Sequence, residues 1–243
     1  MSNVAKVVMS LQWIPVQIAL LSGIGCGNIF LHSDITHRVL SLAERELQDS
    51  GVALITPSTV TGRDEDKQAL ALAFYSVISE QRPDVKVVSL AHTLSAINRA
   101  DLVEEYERMF VEEATETGIF RHDILGKITQ VTGARFLAQL KLAGFRQESV
   151  LRWSLLGVRL VQTKRATMRL YLQIWDSRDG SIAWEGSVEV MQSIDTSSEH
   201  EVTLRTIARQ AALELVQGLP GGDDAAPEPP SAAFDELDGE PSR

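Results

Sequence analysis

The chain has 243 residues, 44% of them hydrophobic, with 23 Lys and Arg against 33 Asp and Glu and a formal net charge of −10. Apolar content of that order supports a packed core in one domain of moderate size, and without a basic excess nucleic acid is not an expected partner. The single cysteine, Cys26, excludes an internal disulfide framework. The charge is unevenly placed: Pro220 to Arg243 holds seven acids and one base, −6, which leaves −4 for residues 1–219.

In chain order, Lys6 precedes an apolar run from Val7 to Ile24 that is broken by Gln12, Pro15 and Gln17. A charged start, an apolar stretch and small residues after it predict a secretory signal over residues 1–25. The run is too interrupted for a membrane-spanning helix. Residues 26–50 are expected to hold an anchor segment and an N-terminal helix, with Asp34 as its cap and Val39, Leu40, Leu42, Ala43 and Leu47 as its stripe over Ile35 to Asp49. An α/β domain is expected over residues 51–219. Val52 to Ile55 is wholly apolar and reads as a strand buried on both faces. A polar loop, Ser58 to Asp66, leads to a helix over Lys67 to Glu80. Val85 to Ser89 is a second short strand. Leu94 to Ala114 is helical in two pieces around Arg99 to Asp101, and Asp123 to Val131 is a helix stopped by Gly133.

Arg135 to Arg146 reads as a long strand, and Trp153 to Val161 as a strand or an irregular crossover. Met168 to Trp175 alternates strictly, Asp176 to Gly180 is a turn, and Ile182 to Met191 returns as its partner, which defines a β-hairpin. After polar Ser193 to Ser198, a helix over Glu199 to Gln217 buries Leu204, Ile207, Ala208, Ala211, Leu215 and Val216. The sum is an α/β sandwich, a mixed β-sheet with a C-terminal hairpin and helices packed on its faces. Residues 220–243 are acidic and rich in Pro and Gly. They lack the apolar surface to offset ordering entropy, and disorder is expected there. Phe234 and Leu237 are the only large apolar residues in that tail.

Catalytic patterns are sparse. The five histidines, His32, His37, His92, His122 and His200, fall in different segments, and His32 and His37 are not spaced as helical metal ligands. No Gly-x-Ser-x-Gly elbow occurs. Glu104/Glu105 and Glu112/Glu113 are adjacent on a helix and point apart, so neither is an acid–base dyad. Gly23 to Gly27 lacks the strand, helix and lysine of a phosphate loop, and Asp64, Glu65 and Asp66 occupy the helix end beside Thr59 to Arg63. No cofactor or metal is predicted. Trp175 and Trp184 flank the hairpin. Packing across the strands accounts for both, and with Tyr171 they form the candidate partner surface.

Two resemblances set the expected function. Ile18-Ala-Leu-Leu-Ser-Gly-Ile-Gly-Cys26 resembles the lipobox of bacterial lipoprotein precursors, with Gly23 where Leu is usual; it implies that Cys26 becomes the lipidated first residue. Gly27 in place of Asp resembles the sorting pattern of outer-membrane lipoproteins. The hairpin Leu170 to Glu185, and Asp123 to Leu137 with its helix, Gly-Ala and strand, resemble envelope lipoproteins: the penicillin-binding-protein activators, the curli-secretion lipoprotein, and the amino-terminal domain of the Tol-system propeller protein. The resemblance implies a non-enzymatic protein, anchored through Cys26 to outer-membrane lipid on the periplasmic face, that binds an envelope protein or further copies of itself. The alternative is a soluble cytoplasmic α/β enzyme or nucleotide-binding protein.

Overall fold

The structure is a computed structural model that describes residues 29–113, 118–155, 158–196 and 202–221. The predicted signal, Cys26, and the tail from residue 222 lie outside these. The described elements are β1 (Ile29–Val39), α1 (Glu46–Ser50), β2 (Val52–Leu54), β3 (Ser58–Thr59), α2 (Asp64–Gln81), β4 (Val87–Val88), α3 (Leu90–Arg99), α4 (Val103–Glu112), α5 (His122–Thr132), β5 (Phe136–Leu155), β6 (Val158–Asp176), β7 (Ile182–Thr196) and α6 (Leu204–Gln217).

They build one mixed sheet in the order β1-β7-β6-β5-β2-β4, with β3 beside β5. The strands β1, β7, β6 and β5 pair antiparallel, and β2 joins β5 and β4 in parallel. This is the expected α/β sandwich. The alternation of β6 explains one layer: Met168, Leu170, Leu172 and Ile174 are buried beneath α2 and α6, against Phe74, Ile207 and Leu215. The second layer, α3 to α5, packs Ile97, Met109, Ile124 and Leu125 on the other face, over Ala53, Ile55, Leu137 and Trp175.

Several boundaries follow from local chemistry. Asp101 takes a left-handed φ of 56°, and this breaks the predicted long helix into α3 and α4 where residues 99–101 were expected to divide it. Gly133 closes α5 at φ 69°, a conformation that costs other residues strain. The Thr203 hydroxyl accepts from the Thr206 amide at 3.2 Å and starts α6 five residues later than expected. The Arg82 guanidinium holds the Asp84 carboxyl down to about 2, well below its ordinary range. Arg82 also donates to the Pro220 carbonyl at 3.1 Å and so fastens the end of the domain.

Three expectations need correction. The predicted helix over Ile35 to Asp49 is instead strand β1, a loop and the short α1. Residues 29–39 pair with β7 along its length, Ile35 against Val188, and the Ser33 hydroxyl donates to Glu214 of α6 at 2.9 Å. The β-branched Ile35, Thr36 and Val39 suit that pairing, which outweighs the helical spacing of the apolar residues. From residue 29 the chain is therefore part of the sheet and not of a separate helix. The polar stretch from Ser193 also stays in the sheet, because β7 runs to Thr196. Finally, β5 does not end near Arg146. It continues for 20 residues to Leu155 and pairs with β6 throughout. Register shifts at Leu142/Gly144 and Leu151/Trp153 change the phase of the alternation, which is why one strand reads as two segments.

Candidate functional site: the open face of the sheet

The helices α3 to α5 cover only one end of their face of the sheet. Over β1, β7 and β6 the strand register lines up two rows of side chains. One is Thr36, Ser187, Tyr171 and Lys141; the other is Arg38, Glu185, Gln173 and Gln139. Opposite charges sit across the strands: Arg38 lies 4.0 Å from Glu185, and Arg169 lies 2.5 Å from Glu189. Such exposed pairs contribute little stability. A groove of about 330 Å³ runs between the rows, lined by Thr36, Arg38, Tyr171, Gln173, Glu185 and Ser187, among others.

At its inner end the face closes over. Lys141 reaches Glu113, beyond the end of α4, at 2.5 Å. Glu113 is thus buried. Gln139 is 0% exposed with neither amide atom hydrogen-bonded, and the Gln173 side-chain carbonyl is likewise unpaired. Buried amides of this kind cost free energy. The Tyr106 hydroxyl accepts from the Thr56 amide at 2.8 Å, and burial pushes its pKa to about 12.

The predicted partner-surface residues separate. Tyr171 stands on the open face, 40% exposed. Trp175 is 1% exposed beneath Phe120, with ring centroids 5.0 Å apart. Trp184 is 0% exposed in the opposite layer, beside the His37 ring. Trp184 pairs with Ile174, so Trp175, the next residue of β6, projects from the opposite face. Both therefore pack the core, and Tyr171 alone of the three presents surface here. Cys26 lies outside the described residues; Ile29, three positions on, is where β1 begins.

Sequence reasoning missed a buried charge cluster. Arg135 donates to both carboxylate oxygens of Asp176, at 3.0 and 2.5 Å, and to Glu46 at 2.9 Å. Arg178 closes the cluster on Asp176 at 3.1 Å. Burial raises the Asp176 carboxyl above its ordinary range against the opposing pull of Arg135, and the Ala43 amide and Arg135 lower that of Glu46. The cluster ties α1, the start of β5 and the hairpin turn, a structural task. The Asp in the turn was visible in the sequence, but its partner 41 positions away was not.

Among the described residues no group of three His, Cys, Asp or Glu side chains is placed to hold a metal ion. No helix among them is long and apolar enough to cross a membrane. At the start of α2 the buried Asp66 accepts from the Thr61 hydroxyl at 2.6 Å, so the polar loop serves its own helix.

No family model matches the chain, and no curated protein matches its sequence. Solved structures align with much of the chain at low identity. The PelC dodecamer from Paraburkholderia phytofirmans is 10% identical, with 77% of this chain and 97% of that chain covered at a TM-score of 0.43. The lipoprotein GNA1162 from Neisseria meningitidis is 13% identical, covering 69% and 99% at 0.38. The LpoB C-terminal domain from Salmonella enterica is 14% identical, covering 60% and 94% at 0.32.

Proposed function

We propose that this protein is a non-enzymatic envelope lipoprotein, held by lipid on Cys26 at the periplasmic face of the outer membrane, whose sheet face receives a protein partner. The observation that carries the reading is Cys26 itself: the chain's only cysteine follows a signal-like apolar run, and strand β1 begins three residues later. A thiol in that setting suits acylation and not core packing. The domain would then stand close to the bilayer.

Labelling cells with radioactive palmitate tests the anchor. The natural chain takes up label and a Cys26→Ala chain does not; equal label in both contradicts the reading.

The partner surface in this reading is the open face at Tyr171, where alternating charge and a shallow groove surround an exposed ring. Aromatic rings at such a centre supply contact area at small entropic cost. A photo-crosslinking residue at position 171 is expected to yield a discrete adduct in cells, and one at the buried position 175 is not. The absence of any adduct at 171 contradicts this surface.

A further inference from the structure

One edge of the sheet is open, and its residues carry a pattern that neither the lipid on Cys26 nor the Tyr171 surface uses. β1 is the end strand, and among the described residues its one strand neighbour is β7. The two pair without a register shift from Ile29 to Val39. The Leu40 amide donates to the Ala183 carbonyl at 3.1 Å, just past the Val39–Trp184 pair. That bond sets the phase of the ladder. The backbone groups of His32, Asp34, Thr36 and Arg38 turn toward β7, and those of Leu31, Ser33, Ile35, His37 and Val39 turn off the edge.

Exposed edges are ordinarily guarded by shortness, proline, lysine or a bulge. β1 has 11 residues and none of these guards. At the other end of the strand order β4 has two residues. A long unguarded edge is a template for another strand.

The side chains say which strand. Phe30, Leu31, Val39 and Leu40 are large, apolar and 47 to 62% exposed. They stand symmetrically about Ile35: Phe30 and Leu31 come five and four positions before it, Val39 and Leu40 four and five after it. An antiparallel pair centred on Ile35 sets Phe30 opposite Leu40 of a second copy, and Leu31 opposite Val39. Asp34 then meets Thr36, and Ser33 meets His37. The centre falls on the outward-turned set, so Ile35 exchanges both backbone hydrogen bonds with its own counterpart. A foreign strand has no need of this symmetry. A second copy does, because a two-fold interface matches one surface to itself.

The rest of the fold permits the approach. α6 packs mainly over β7. In a joined sheet β7 and its counterpart lie three strand spacings apart, about 14 Å, which is wider than the roughly 8–10 Å between packed helices. Thr36 and Arg38 line the groove of the open face, so that face runs on from one copy to the other.

We propose that β1 pairs antiparallel with β1 of a second copy, centred on Ile35, and joins two sheets into one. The pairing needs neither the acyl chain nor a partner at Tyr171, so it can fail without them. The first test uses the full chain carrying Cys26→Ala, into which Asp34→Cys or Thr36→Cys is introduced. The two chains are oxidised with copper phenanthroline, separately and after mixing, and run on a non-reducing gel. Positions 34 and 36 of two copies face each other at about 4.5 Å, within disulfide range. Two copies of position 34, or of position 36, stand diagonally at about 7–8 Å. The mixture is therefore expected to give several-fold more dimer than either chain alone. No dimer in the mixture overturns the proposal, and so does a dimer formed as well by one chain alone, which would centre the pair elsewhere.

Sedimentation of the Cys26→Ala parent gives a second reading. Leu31→Lys with Val39→Lys sets like charges opposite each other twice, and is expected to weaken dimerisation by roughly tenfold or more. Leu31→Glu with Val39→Lys sets opposite charges there and should fall between the two. All three chains keep residues 1–25, so differences between them report the edge. A monomeric parent, or equal association of all three chains, overturns the proposal.

Discussion

Trp184→Ala is expected to lower the free energy of unfolding by about 4 kcal/mol, read as a fall in the urea midpoint at unchanged slope. The indole is fully buried between the sheet and the α2/α6 layer. Its ring nitrogen has no hydrogen-bond partner, so removing it breaks no hydrogen bond and the cavity dominates the loss. The ring lies across the backbone of Gly186, where an added Cβ would stand 2.4 Å from its outermost carbon. Two residues apart on one strand they share a face, and glycine is what leaves room for the ring. Gly186→Val must therefore displace the indole and is expected to cost about 3 kcal/mol by overpacking. Because the two sites compete for one volume, the double variant Trp184→Ala with Gly186→Val should lose clearly less than the sum. Strict additivity would show that the ring does not occupy the space over Gly186.

Arg135→Met is expected to cost about 3 kcal/mol at neutral pH. It removes the paired donors from Asp176, a nearly buried carboxylate, and leaves it the more exposed Arg178. It also removes the hydrogen bond from Arg135 to Glu46 of α1 and leaves that carboxylate the more distant Arg178. The loss has a pH signature. Burial already raises the Asp176 carboxyl in the folded protein, and without Arg135 it rises further. A raised carboxyl favours its protonated form in the folded state. The variant is therefore most destabilised above that raised value and recovers part of its deficit as pH falls through it. Adding Asp176→Asn should remove much of the deficit at neutral pH, because no buried charge is left unmatched. Urea unfolding at neutral and mildly acid pH reads both effects. A deficit that does not change with pH would mean that the cost is lost packing of the Arg135 side chain against Phe136.

How much of this could be read beforehand depends on where the information lies along the chain. Strict alternation from Met168 to Trp175 defined β6 and its core face, since burial on one side of a strand imposes a period of two. The break between α3 and α4 and the end of α5 were also legible, because left-handed residues leave local marks. What failed was set by distant partners. β1 carries helix-spaced apolar residues and becomes a strand only because β7 offers an edge. β5 reads as two segments because its bulges shift the alternation. Trp175 and Trp184 look like one surface in a hairpin pattern, yet Trp184 pairs with Ile174, so the neighbouring Trp175 takes the opposite face. The Arg135–Asp176 cluster pairs residues 41 positions apart, beyond any local signal.

The central claim is the lipid on Cys26, and the mass of the N-terminal peptide from the membrane fraction tests it most directly. A peptide that begins at Cys26 and carries the added mass of acyl chains is the predicted result. A peptide that begins at Met1, with an unmodified Cys26 further along the chain, would contradict the account.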